Sequence, residues 1–196
     1  MPGFRRICVF CGSSVGSRES YAAAARELGQ TLAKRHIGVV FGGGKVGLMG
    51  VLAEAALAAG ADVIGVIPEA LLAREIGHEN LTELRVVHSM HERKTLMADL
   101  ADGFIALPGG YGTFEEFFEA VTWTQLGIHK KPCGVLNVDG YYNAALQLLD
   151  RAVSDGFIRE ANRSLVLDAF DVPALLQKLL AFRPSAEELW IGKAER

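Results

Sequence analysis

Short apolar runs, bounded by glycine, proline and polar residues, alternate along this chain with longer stretches in which apolar residues recur every three or four positions. The runs at 6–11, 38–41, 62–67, 83–87, 104–107, 133–138 and 165–167 read as strands. The periodic stretches from 20 to about 35, and at 48–59, 89–100, 113–126, 141–155 and 173–181, read as helices. Residues 68–82 are polar and without a clear period, so a loop with a short helical turn is expected there. Strand and helix in strict alternation predict an α/β fold: a parallel sheet of about seven strands in a three-layer arrangement, with helices on both faces. No repeat, low-complexity tract or linker divides the chain. Residues 1–196 are expected to form one α/β domain, with the amphipathic tail 184–196 free to fray or pack.

In such sheets ligands bind beyond the carboxyl ends of the strands. Every glycine-rich or polar turn between a strand and a helix should therefore gather on one edge. The richest of these turns follows the run Phe104–Leu107. Pro108 ends the strand, because proline has no amide to donate. Gly109, Gly110 and Gly112 let the backbone approach a ligand without intervening side chains. Thr113 reads as the N-cap of the next helix, and Glu116 three residues on completes a capping box. Free amides and the helix dipole make such a start an anion site. Glu115 and Glu116 stand beside it; carboxylates at a helix start are favoured by about 0.3–1 kcal/mol. They either serve chemistry as ionised groups or merely cap and solvate the helix.

The helix after the fourth strand carries a second signal. Ser89 and Glu92 form a capping box that starts it near Met90. Arg93 then shares a face with Leu96, Met97 and Leu100. An arginine on an apolar stripe, in the first turn and at the ligand edge, is either functional or part of an internal salt bridge. Lys94, one residue on, points elsewhere and could reach a phosphate or only water.

Other patterns carry less. Cys8 and Cys11 have redox-motif spacing but lie in a buried strand, and with only Cys133 left no four-cysteine zinc site exists. Gly12-Ser13-Ser14-Val15-Gly16 has the form of a nucleophile elbow, yet His129 follows a helix and no later acid and histidine are well placed for a triad. Ser13 and Ser14 more naturally offer hydroxyls and amides to a ligand. Gly42-Gly43-Gly44-Lys45-Val46-Gly47 fits a dinucleotide fingerprint only in part: Asp62 begins the next strand, whose end is Ile67-Pro68-Glu69. Gly43 and Gly44 remain candidates for ligand contact. Lys45 makes no P-loop.

The composition narrows the class. Half of the 196 residues are hydrophobic and the net charge is −3, which gives no electrostatic case for nucleic acid or an anionic membrane as partner. No apolar run approaches the ~20 residues of a membrane span. A strand begins almost at once, so no signal peptide is expected. Three cysteines in a chain with a sufficient core point to the cytoplasm.

Taken together, Cys11-Gly12-Ser13-Ser14, Gly42-Gly43-Gly44 through Gly47-Leu48-Met49-Gly50, Met90-His91-Glu92-Arg93-Lys94 and Pro108-Gly109-Gly110-Tyr111-Gly112-Thr113-Phe114-Glu115-Glu116 closely resemble the Lonely Guy (LOG) family. These are cytokinin riboside 5′-monophosphate phosphoribohydrolases, long labelled as lysine decarboxylases. The likeness spans about residues 5–180. Pro108 through Glu116 meets the family signature PGGxGTxxE, and Arg93-Lys94 its companion pair. The resemblance implies a Rossmann-like sheet, no metal and no other cofactor, a compact homodimer, and cleavage of the N-glycosidic bond of an adenosine 5′-monophosphate. It implies Arg93 and Glu116 as the catalytic pair. The substrate would be held by Ser13, Ser14, Gly43, Gly44, Met90, Lys94, Gly109, Gly110, Gly112, Thr113 and Glu115. Two rivals remain at this point: a dinucleotide-dependent oxidoreductase, and a nucleotide-binding module without catalysis.

Overall fold

The structure is a computed structural model, and it describes residues 3–72, 77–78 and 80–183. The tail from 184 onward, expected to fray or pack, lies outside the described residues. The strands are β1 (Arg6–Phe10), β2 (Gly38–Phe41), β3 (Val63–Pro68), β4 (Glu83–Val87), β5 (Gly103–Ala106), β6 (Cys133–Leu136) and β7 (Val166–Ala169). The helices are α1 (Glu19–Lys34), α2 (Gly47–Ala58), α3 (Glu69–Leu72), α4 (Met90–Leu100), α5 (Tyr111–Leu126), α6 (Asn143–Ser154), α7 (Glu160–Arg163) and α8 (Val172–Ala181).

All seven strands pair in parallel in one sheet, in the order β4-β3-β2-β1-β5-β6-β7. Successive residues of β1 alternate between the two cores: Ile7 and Val9 face one, Cys8 and Phe10 the other. The first core is closed by Leu28 and Leu32 of α1, Leu52 of α2 and Leu175 of α8. The second is closed by Met97 of α4, Phe117 of α5 and Tyr142 ahead of α6. Burial of each large apolar side chain contributes about 1.5–3 kcal/mol. A sheet covered on both sides explains why its strands are unbroken apolar runs rather than alternating ones. The edge strands depart from this: β7 contains Asp168, and β4 presents the Glu83–Arg85 ion pair and a half-exposed Val86. Charge on an edge strand discourages pairing with another chain.

The chain builds outward from β1 to β4, then returns to lay β5 beside β1. That reversal opens a crevice at the carboxyl ends of β1 and β5, the place where open parallel sheets bind ligands. Gly12 N donates to Pro108 O at 3.1 Å across it, and Leu48 N donates to Gly12 O at 3.0 Å.

Several boundaries differ from the sequence expectation. α5 begins at Tyr111 with Gly110 as its N-cap, and no side chain bonds the cap. Thr113 is therefore a buried residue of the first turn, not the cap, and the expected Thr113–Glu116 capping box does not form. β6 stops at Leu136 because Asn137 turns its side chain on the following residues. Its Oδ1 accepts from Tyr142 N at 2.7 Å and its Nδ2 donates to Asn143 Oδ1 at 2.8 Å. β7 runs two residues further than its apolar core, and the short α7 carries too few apolar positions to show a period.

Candidate active site

The N-terminal turns of α4 and α5 meet beside the crevice. At the start of α4, Ser89 Oγ accepts from Glu92 N at 3.1 Å. The Glu92 carboxylate reaches past the cap to His88 N at 2.9 Å. This pins the first turn, and Arg93 enters the second core on the same side as Met97. Its Nε donates to Val66 O at 3.0 Å and its Nη2 to Gly42 O at 3.4 Å. Nη1 lies 3.0 Å from Glu116 Oε1, the two side chains being 9% and 10% exposed. The guanidinium is thus fixed by the carbonyl ends of two strands and by one carboxylate. A buried pair of this kind gains little net stability, but losing one partner leaves an uncompensated charge at a cost of about 3–5 kcal/mol.

The start of α5 supplies the opposite wall. Gly109 packs so tightly on the Thr113 side chain and Gly12 N that no Cβ would fit. Gly110 and Gly112, by contrast, have nothing within 4 Å of where a Cβ would stand. Their missing side chains leave the first amides of a sixteen-residue helix open. Two tyrosines hold the turn from behind: Tyr142 Oη donates to Leu107 O at 2.6 Å and Tyr141 Oη to Gly109 O at 2.5 Å.

Between these walls lies a cleft of about 230 Å³. It gathers the sequence candidates Ser13, Met90, Arg93, Gly110, Gly112, Thr113, Glu115 and Glu116. Ser14 and Gly109 instead line an adjoining cleft of about 250 Å³ with Tyr21 and Tyr141. Gly43, Gly44 and Lys94 line neither. The Gly43 carbonyl accepts from His78 N at 3.1 Å, and Gly44 bridges to Gly77. Lys94 Nζ sits 2.5 Å from Glu115 Oε1 and 3.0 Å from Glu119 Oε1, its side chain 10% exposed. Cys11, Gly12, Met49 and Tyr111 also line the cleft; all four lie within the stretches that carry the resemblance, but none is among the expected site residues. Met49, 7% exposed in the first turn of α2, reads as an ordinary core residue until the fold brings it to the edge.

The thiols are inert. Burial first, and then the charge of Glu116, push Cys8 and Cys11 well above the ordinary thiol range, so both stay protonated at neutral pH. The partial fingerprint at Gly42–Gly47 also has a local explanation. A Cβ on Gly42 would overlap the Arg93 guanidinium, and one on Gly47, at φ +65°, would overlap the Ser13 backbone. At the end of β3, Glu69 pairs with His88 at 3.3 Å.

Comparison with known proteins places this geometry. The family model described as "possible lysine decarboxylase" matches residues 49–179. A rice (Oryza sativa subsp. japonica) protein, the "probable cytokinin riboside 5′-monophosphate phosphoribohydrolase LOGL9", is 55% identical over 181 residues. That match takes in 92% of this chain and 80% of the rice protein. The Arabidopsis thaliana cytokinin riboside 5′-monophosphate phosphoribohydrolase LOG7 is 51% identical over 186 residues, 95% of this chain and 86% of that protein. The chain belongs to the LOG family. The fold of this LOG protein extends further. The molybdenum cofactor carrier protein of Chlamydomonas reinhardtii superposes with a TM-score of 0.67 at 23% identity, over 90% of this chain and 98% of that one. At that identity the likeness is one of fold alone. Among the described residues no helix is long and apolar enough to cross a membrane.

Proposed function

We propose that the protein hydrolyses the N-glycosidic bond of adenosine 5′-monophosphates, N6-substituted ones included, to the free base and ribose 5-phosphate. The observation that carries this reading is the buried Arg93–Glu116 pair, 3.0 Å apart, on the wall of a cleft that opens at a glycine-rich helix start. Identities of 51–55% to named phosphoribohydrolases support it.

In this reading the 5′-phosphate rests on the amides of Gly110 to Thr113, with Gly109, Ser13 and Ser14 completing the cradle and Gly43 and Gly44 shaping the turn behind it. Anchoring the phosphate fixes the distance from C1′ to the carboxylate. As the C1′–N9 bond breaks, positive charge develops on the ribose, and the ionised Glu116 stabilises it or deprotonates the attacking water. The water oxygen joins C1′; one of its protons stays on the new hydroxyl and the other leaves with the base. Arg93 cannot act as a general acid at neutral pH, so its part is to orient Glu116 and the substrate. Glu115 faces the ribose hydroxyls, and Met90 with Met49 offers polarisable thioethers to the base. A pyridoxal-dependent decarboxylase would need a lysine with a depressed pKa. Burial of Lys94 acts in that direction, but its hydrogen bonds to Glu115 and Glu119 outweigh it and raise the pKa; Lys131, which burial does lower, donates to Ala98 O and lines neither cleft.

The described residues act as one domain, in the cytoplasm, and the protein functions as a homodimer with no metal or other cofactor. Support for the dimer comes from α6: Ala145, Leu146 and Leu149 pack on the second core but stay half-buried, while Leu148 and, beyond the helix, Phe157 are exposed. The test of the function is direct. Purified protein incubated with AMP and with N6-isopentenyl AMP should release ribose 5-phosphate and the free base. Intact nucleotide after prolonged incubation would overturn the reading, and hydride transfer with a nicotinamide cofactor would put an oxidoreductase in its place.

A further inference from the structure

Two successive cations on α4 meet successive anions on α5. Arg93 takes Glu116, and Lys94 takes Glu115 together with Glu119. The Lys94 side chain is 10% exposed, while Glu115 is 54% and Glu119 27% exposed. Glu115 and Glu119 are four apart on one helix face, where like charges repel unless a cation lies between them. Glu115 reaches the cleft; Glu119 does not, and it stands outside the glycine-rich signature.

We propose that Glu119 is a positioning residue that acts through Lys94 to hold Glu115 in place and to set the charge facing Glu116. This inference rests on the proposed hydrolysis for its kinetic consequences, but not for its structural ones. Glu116 pairs with Arg93 of α4, its charge acts on the thiols of Cys8 in β1 and of Cys11 just after it, and it adjoins Glu115, which Lys94 joins to Glu119. The thiols are protonated, so two cations balance three carboxylates. Removing Glu119 leaves that balance one unit more positive; removing Lys94 makes it one unit more negative. A carboxylate responds oppositely to the two changes.

The test compares Glu119→Gln, Lys94→Met, Lys94→Arg and the double variant Lys94→Met/Glu119→Gln. Glu119→Gln should lower kcat about tenfold with KM within about twofold, the signature of displaced catalytic geometry. The acid limb of its kcat/KM profile should move to lower pH, and that of Lys94→Met to higher pH, each by on the order of 0.5–1 unit. Lys94→Arg should recover part of the lost kcat. In thermal unfolding the double variant should lose less than the sum of the single losses, because both remove one contact. Acid limbs that move together or not at all would overturn the proposal. So would a KM effect alone in Lys94→Met, which would put Lys94 on the substrate phosphate. Additive Tm losses would overturn it too, and that readout stands even if the wild-type chain releases no base, a result that would refute the proposed reaction instead.

Discussion

Gly42 and the Arg93 guanidinium compete for one volume. The missing side chain at the end of β2 is what lets Nη2 reach the Gly42 carbonyl at 3.4 Å. Gly42→Ala should therefore leave the sheet intact but push the guanidinium off Glu116. Turnover should fall by about 10²-fold, the scale of a small misplacement of a catalytic group, while thermal unfolding stays cooperative; unchanged turnover would count against Arg93 as the orienting group. Arg93 itself is legible in the sequence, since an arginine on the stripe of Met97 in a capped first turn has few bland explanations. Gly42 is legible only as a glycine. Its neighbour in space is 51 residues away in sequence, and no local pattern carries that contact. The same holds for Lys94: the partners that claim it sit on another helix, where an i, i+4 pair of acids reads as a solvated face.

At the scale of the element, α5 shows what sequence reading finds and what it misses. The strand–glycine–helix order is visible because proline and glycine punctuate it. The cap is not, because Thr113 and Glu116 meet the capping spacing while the backbone at Gly110, freed of a side chain, starts the helix two residues before the expected position. Moving the start turns Glu116 from a capping residue into the partner of Arg93, so its substitution is no longer a matter of a cap worth ~1 kcal/mol. Gly112 now lies within the helix, in open space. Gly112→Ala should raise stability by about 0.5–1 kcal/mol, as alanine does in a helix. It should at the same time raise KM for the nucleotide about ten- to a hundredfold, the scale of a hydrogen bond to a charged group. Stability from thermal unfolding and KM from initial rates check both halves. If the phosphate is the handle, the nucleoside should be a far poorer substrate than its 5′-monophosphate, and comparable turnover of the two would remove the phosphate from the α5 amides.

For the whole molecule, the alternation of runs and periods announces a parallel sheet, but not the order in which strands lie. Local pattern sets each strand's burial; the reversal between β1 and β5, which creates the crevice, is a long-range choice. Assembly belongs to this scale as well. Sedimentation at micromolar concentration should give a dimer, and Leu148→Asp on the exposed side of α6 should shift it toward monomer. A wild-type monomer would contradict the proposed assembly. The central claim, that Glu116 held by Arg93 breaks the glycosidic bond, is tested most directly by the release of ribose 5-phosphate from Glu116→Gln. Glutamine keeps an oxygen for Arg93 Nη1 but removes the charge, so the fold should persist with a loss below the ~3–5 kcal/mol of a broken buried pair. Nucleotide binding should survive while turnover falls about 10²–10⁴-fold, with Arg93→Ala similar and the double variant little worse than either. Near-normal release of ribose 5-phosphate by Glu116→Gln would contradict the account.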